Sequence, residues 1–241
     1  MRLLCFIVAA LPAFAIAGPA IPDDTSQPFS AASATTTDTS PPAPQAGKII
    51  LAIGQQKTNV GTLWSSALYG AVWQGLDKIC PPGRSTCLRD SRGAYETLKL
   101  DVQYLDGNIL QYGPYLEIQV QQTNHRTEGL RKLMIGTIAG TLQKSTEDAK
   151  NCWDFTYGFP LPHRGRHCFV GHVVGVTAGD SYLTVGIRSR GDEGGKFDCP
   201  AILEQTNRYL DELMPEYERE LGGGRVERDV FCLQKPKLAE V

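Results

Sequence analysis

The chain contains no Asn-x-Ser/Thr triplet, so it offers no acceptor for N-linked glycosylation. GxSxG, HExxH, GxxxxGK[ST] and GxGxxG are all missing too, which removes the usual serine hydrolase, zincin, P-loop and dinucleotide-binding classes. No two cysteines stand in CxxC spacing, so a zinc site has little support. Beyond the first residues no apolar stretch is long enough to span a bilayer as a helix. An excess of one charge is lacking as well: with Arg2, Asp23, Asp24 and Asp38 set aside, the chain past residue 46 carries 23 Lys and Arg against 23 Asp and Glu. A formally neutral domain lacks the basic face that nonspecific binding to nucleic acid or a membrane surface uses. Nucleic acid is therefore not an expected partner, and no cofactor or metal is called for.

What is present begins with MRLLCFIVAALPAFAIAGPA. One arginine, an apolar run from Leu3 to Ala17 and the small-residue pattern Ala15-Ile16-Ala17 read as a secretory signal over 1–17, cleaved after Ala17. Residues 18–46 follow, dominated from Ile21 on by Ser, Thr, Ala and Pro with a single aromatic. Such a segment buries too little apolar area to offset its ordering entropy, and reads as a disordered spacer or pro-segment. Cys5 lies in the signal, which leaves Cys80, Cys87, Cys152, Cys168, Cys199 and Cys232. An even number in a secreted chain points to three disulfides. The spacings favour Cys80–Cys87, Cys152–Cys168 and Cys199–Cys232, with crossed pairings open.

Residues 47–241 read as one disulfide-bonded α+β domain, or two small units packed together. KIILAIG (48–54) is a continuous apolar run, expected as a strand covered on both faces. Trp64, Leu68, Val72, Leu76 and Ile79 recur at helical spacing and stop at Pro81-Pro82-Gly83. Leu98, Leu100, Val102 and Tyr104, then Leu116, Ile118 and Val120, alternate with polar residues and predict two antiparallel neighbours joined through the Asp106-Gly107-Asn108 turn. A second helix is expected from about Arg126 to Ser145, capped by Thr123 or Asn124, with Gly136 and Gly140 one turn apart for close packing on a sheet. Phe169 to Val176 and Leu183 to Ile187 predict strands around Ala178-Gly179-Asp180. A third helix opens at Asp198-Cys199-Pro200 and breaks at Gly222-Gly223-Gly224, before a last strand from Val226 to Leu233. The order β-α-β-β-α then β-β-α-β predicts helices packed on an antiparallel or mixed sheet.

Only four histidines are present, and three of them fall in HRGRHCFVGH, residues 163–172. His163 and His167 have helical i,i+4 spacing, but Pro160, Pro162 and Gly165 argue against a helix and hence against a metal pair. HRGR reads as a basic loop whose charge rises below about pH 6.5, and HCFVGH as the entry to a strand with Cys168, Val170 and His172 on one face. A hydrolase would need an acid, a base and a cation together. His163 or His167 with Arg164 or Arg166 supplies the first and last of these, and Glu117 or Glu96 is the candidate base. Trp153, Phe155, Tyr157 and Phe159 alternate in CWDFTYGFP, as core on a strand or as a recognition surface on a loop. Trp153, Tyr157, His163, Arg164 and Arg166 are the candidate binding residues. Arg190-Gly191-Asp192 matches an adhesion tripeptide, but turn chemistry alone explains it.

A signal, a Ser/Thr/Pro spacer and a compact six-cysteine domain without a catalytic signature resemble the effector or virulence proteins secreted by filamentous fungi. The ββαβ pattern bounded by Cys168, Cys199 and Cys232 is similar to the α/β sandwich of killer-toxin-like fungal proteins. The resemblance implies an extracellular, monomeric protein that binds a host or competitor protein or cell-surface molecule and is not an enzyme, with translocation into host cells as one destination. A ribonuclease-like or other acid–base hydrolase is the alternative.

Overall fold

The computed structural model describes residues 47–112, 115–189 and 195–233. The expected signal, the spacer and the Arg190-Gly191-Asp192 tripeptide lie outside the described residues. The fold is α+β, held by three disulfides that pair as the spacings favour: Cys80–Cys87, Cys152–Cys168 and Cys199–Cys232.

In chain order the elements are β1 (Gly47–Ile53), β2 (Lys57–Asn59), α1 (Ser65–Ile79), β3 (Thr97–Asp101), β4 (Tyr104–Asp106), β5 (Ile109–Gln111) and β6 (Tyr115–Asn124), then α2 (Glu128–Glu147). After it come β7 (Cys152–Tyr157), β8 (His163–Gly171), β9 (Val173–Ala178), β10 (Ser181–Arg188), α3 (Cys199–Glu220) and β11 (Val226–Cys232). A six-stranded sheet runs β11-β1-β9-β10-β6-β3, a three-stranded sheet runs β2-β8-β7, and β4 and β5 form a separate hairpin. Among the described residues only β1 and β11 pair in parallel. β1, the expected doubly covered strand, is buried on one face alone: Ile49, Leu51 and Ile53 are sealed, while Lys48, Ile50 and Ala52 look out from the open side of the sheet. The three helices cover the other side, with α2 packed between α1 and α3.

α2 is buried nearly all round. Leu130, Met134, Ile138 and Leu142 form its apolar stripe, and Thr137, Thr141, Ser145 and Thr146 are buried with them. The hydroxyls survive burial because each is bonded: Thr141 and Ser145 donate one turn back to the carbonyls of Thr137 and Thr141, at 2.7 and 2.8 Å, and Thr137 shares a 2.8 Å bond with the Tyr217 hydroxyl. Thr127 caps the helix by accepting from the Leu130 N–H. The expected caps do other work, since Thr123 is buried in β6 and Asn124 donates to the Asp180 carbonyl. Arg131 of α2 is buried as well, only 2% exposed. Its guanidinium donates to both oxygens of Glu128 at 2.8 and 2.6 Å, to the Cys80 carbonyl at 2.6 Å, and meets the Asp77 carboxylate at 2.7 Å.

Two other expectations are revised. β3 and β6 are antiparallel neighbours, but the Asp106-Gly107-Asn108 turn closes the β4–β5 hairpin instead of joining them. The run from Phe169 to Val176 is broken at His172 into strands of two different sheets. The break is set by close backbone approach: a Cβ on Gly171 would sit 2.3 Å from the Gly54 carbonyl, and one on Gly54 would strike the His172 ring.

Candidate recognition site on paired hairpins

β7 and β8 pair in register from the Cys152–Cys168 disulfide outward: Trp153 with His167, Asp154 with Arg166, Phe155 with Gly165, Thr156 with Arg164 and Tyr157 with His163. The HRGR segment, expected as a loop, is therefore strand. Cross-strand pairs hold it, notably the Arg166 guanidinium donating to both oxygens of Asp154, 12 residues before it, at 2.6 and 3.0 Å. That ion pair holds the Asp154 carboxyl below its usual range and raises the Arg166 guanidinium. Gly165 is required by its partner, because a Cβ there would meet the Phe155 ring at 2.5 Å.

Strand alternation sorts the candidate residues onto two faces. Trp153, Phe155, Tyr157, His163 and His167 share one, and Asp154, Thr156, Arg164 and Arg166 the other. On the aromatic face the rings form a ladder. Tyr157 lies 5.5 Å from His163, Phe155 lies 5.9 Å from Tyr157 and 4.4 Å from His167, and Trp153 lies 5.4 Å from Phe155. Tyr104 of β4 closes the ladder edge-on, 6.1 Å from His167. Its own hydroxyl donates to the Asn59 carbonyl at 3.1 Å, and burial pushes its phenol up to about 12.

His167 is fully buried. Burial lowers its imidazole to about 4, with the Gln103 backbone opposing the shift weakly, so the ring is neutral at pH 7. His163 stands exposed at the other end of the ladder. Four strand residues separate the two histidines by about 13 Å, too far to share a metal ion or a reacting group. Arg164 and Arg166 project from the opposite face. The candidate bases lie on other strands: Glu117 pairs with Lys99 across β3 and β6, 3.6 Å apart, and Glu96 precedes β3. The acid, base and cation of the hydrolase alternative are not brought together. Among the described residues no group of three His, Cys, Asp or Glu side chains is placed to hold a metal. His172, expected on the Cys168 face, sits in the bend between β8 and β9, where its N–H donates to the Gln56 carbonyl and its own carbonyl accepts from the Ile187 N–H.

At the free end the hairpin tip touches the tip of the β4–β5 hairpin, through the Gly158 N–H donating to the Asn108 carbonyl at 2.9 Å. Large apolar side chains stand out from both: Phe159 is 95% exposed, Leu161 74% and Ile109 68%. No family model matches the chain, and neither the curated proteins nor the solved structures searched contain a match. The site is thus read from its own geometry.

Its chemistry is that of a contact surface. The tips offer apolar area, Tyr157 and His163 flank it with aromatic faces, and the Cys152–Cys168 disulfide and the buried rings of Phe155 and His167 hold the base to the fold. Ile109 was not among the residues singled out from sequence. Its signal was the Asp106-Gly107-Asn108 turn, which marks a hairpin tip once it is no longer assigned to a β3–β6 link.

Proposed function

We propose that the protein is a secreted, effector-type binding protein that engages a host or competitor protein through the joined tips of the β4–β5 and β7–β8 hairpins. One observation carries this reading: three large apolar side chains, Phe159, Leu161 and Ile109, exposed between 68% and 95%, stand on two hairpin tips locked to each other by a backbone hydrogen bond. Exposed apolar area concentrated at one place marks interaction surfaces in soluble domains, and a rigid base lowers the entropy cost of binding there. Secretion is supported by the three disulfides, which belong to oxidising compartments, and by the N-terminal sequence. Among the described residues no helix is long and apolar enough to cross a membrane. The protein acts as a monomer in this reading.

The test compares the domain from Gly47 onward with its Phe159→Ser/Leu161→Ser variant as bait in candidate host extracts. A discrete protein retained by the parent and lost by the variant, with the variant's melting curve unchanged, is the expected result. Equal capture by both removes the tips as the binding surface. Cleavage of RNA, glycan or peptide by the purified domain, abolished by His163→Ala, overturns the binding reading in favour of the hydrolase.

A further inference from the structure

The three helices enclose a second site, remote in sequence from the hairpins. A cleft of about 260 Å³ opens between α1, α2 and α3. Tyr69 and Trp73 of α1 form one wall, Tyr209 of α3 the other, and Gly136 of α2 lies in the floor. The Tyr209 hydroxyl donates to the Gly136 carbonyl at 3.0 Å. Tyr69 and Tyr209 bring their hydroxyls together over that glycine, each 3.9 Å from where its Cβ would be.

The glycines of α2 differ in a way that bears on this cleft. A Cβ at Gly140 would fall 2.0 Å from the Tyr209 ring, and one at Gly129 would fall 2.1 Å from the Glu220 carboxylate, so packing forbids side chains at both. At Gly136 nothing lies closer than 3.9 Å, an ordinary contact distance, and alanine would fit. Glycine weakens a helix interior relative to alanine, so Gly136 is a helix-weakening choice that packing does not demand. What it does is leave the floor open.

The rim decides the ligand. Glu216 and Arg219 line it from α3, one turn apart, and neither makes an ion pair among the described residues. With Lys132 and Glu220 also at the mouth the charges balance, so no net field selects an anion or a cation. A volume below the usual range for drug-sized ligands fits one ring and not a peptide or an acyl chain. A purely aromatic ring would strip water from the Glu216 carboxylate and the Arg219 guanidinium and return nothing, whereas a ring edged with hydroxyls satisfies them and lays its C–H face on Trp73.

We propose that this cleft binds a single neutral sugar ring, the terminal hexopyranose of a glycan, held between Trp73 and the Tyr69–Tyr209 pair and fixed by Glu216 and Arg219. The site is independent of the hairpin tips and stands or falls separately from them.

The test titrates the domain from Gly47 onward with the methyl glycosides of glucose, galactose and mannose and with N-acetylglucosamine, following tryptophan fluorescence and NMR shifts. The expected result is saturable binding of at least one, with a Kd on the order of 1 mM. Gly136→Leu, which fills the floor, should weaken it about tenfold or more. Should that variant fail to fold, the exposed pair Glu216→Gln/Arg219→Met should do the same, while the Phe159→Ser/Leu161→Ser variant should bind as the parent does. Three results overturn the site: no response to any of the four sugars, binding that survives changes to both floor and rim, or binding lost with the hairpin variant.

Discussion

α2 and the β7–β8 hairpin invert the usual rule of placement in opposite directions. The helix buries an arginine and four hydroxyls, and the hairpin tip leaves a phenylalanine and a leucine in water. In the helix every exception is stitched to a partner, so the buried polar groups belong to the architecture and their removal should cost stability. At the tip the exceptions touch little of the fold, so their removal should leave stability alone and affect only what the surface meets. Misplaced residues are thus separable into structural and functional ones by asking whether they are bonded where they sit.

The comparison breaks hardest at Arg131. Arg131→Ala leaves the Cys80 carbonyl and two carboxylates without their donor, and should lower unfolding free energy by about 3 to 4 kcal/mol in urea titrations, the lower end for a buried ion pair because Glu128 and Asp77 can rehydrate. His167 follows. Its imidazole falls to about 4 in the folded state from an ordinary 6.5, so between those values the unfolded chain binds more protons and stability drops as pH falls. The loss should begin near pH 6.5 and reach about 3 kcal/mol by pH 4, measured as melting temperature against pH, and His167→Gln should remove that component. Gly165→Val drives a side chain into the Phe155 ring and should cost about 2 kcal/mol. The sharpest contrast is the smallest effect: Phe159→Ser/Leu161→Ser should shift stability by less than about 0.5 kcal/mol. A large loss there would place the tip among the structural residues and dissolve the comparison.

Much of the scaffold was legible in order. Helical spacing located all three helices to within a turn, because it depends on neighbours close in sequence, and taking the cysteines in consecutive pairs anticipated the three bridges. What was not legible depends on partners far away. The HRGR segment looks like a loop, with Pro160, Pro162 and Gly165 around it, until Asp154 and Phe155 are set opposite Arg166 and Gly165. The apolar run Phe169 to Val176 gives no internal sign of its break, which is imposed by the contact of Gly54 with Gly171 and His172. Of the proposed binding residues, Trp153, Tyr157 and His163 come together, whereas Arg164 and Arg166 leave on the other face, a division that any strand register makes and no composition reveals. The cleft between the helices combines residues from three elements, and Gly136, expected to serve close packing on a sheet, faces Tyr69 and Tyr209 of the other two helices instead.

β11 lies parallel to β1, pairing Gly47 with Val226 and Ile53 with Cys232. The polypeptide therefore enters this ladder at one end of the sheet and leaves it at the other. A pull through the residues before Gly47 and after Cys232 loads all the hydrogen bonds of the pair at once, in shear, instead of opening them one by one. Under tension the two strands act as a clasp, with the Cys199–Cys232 bridge tying the far end of that clasp to α3.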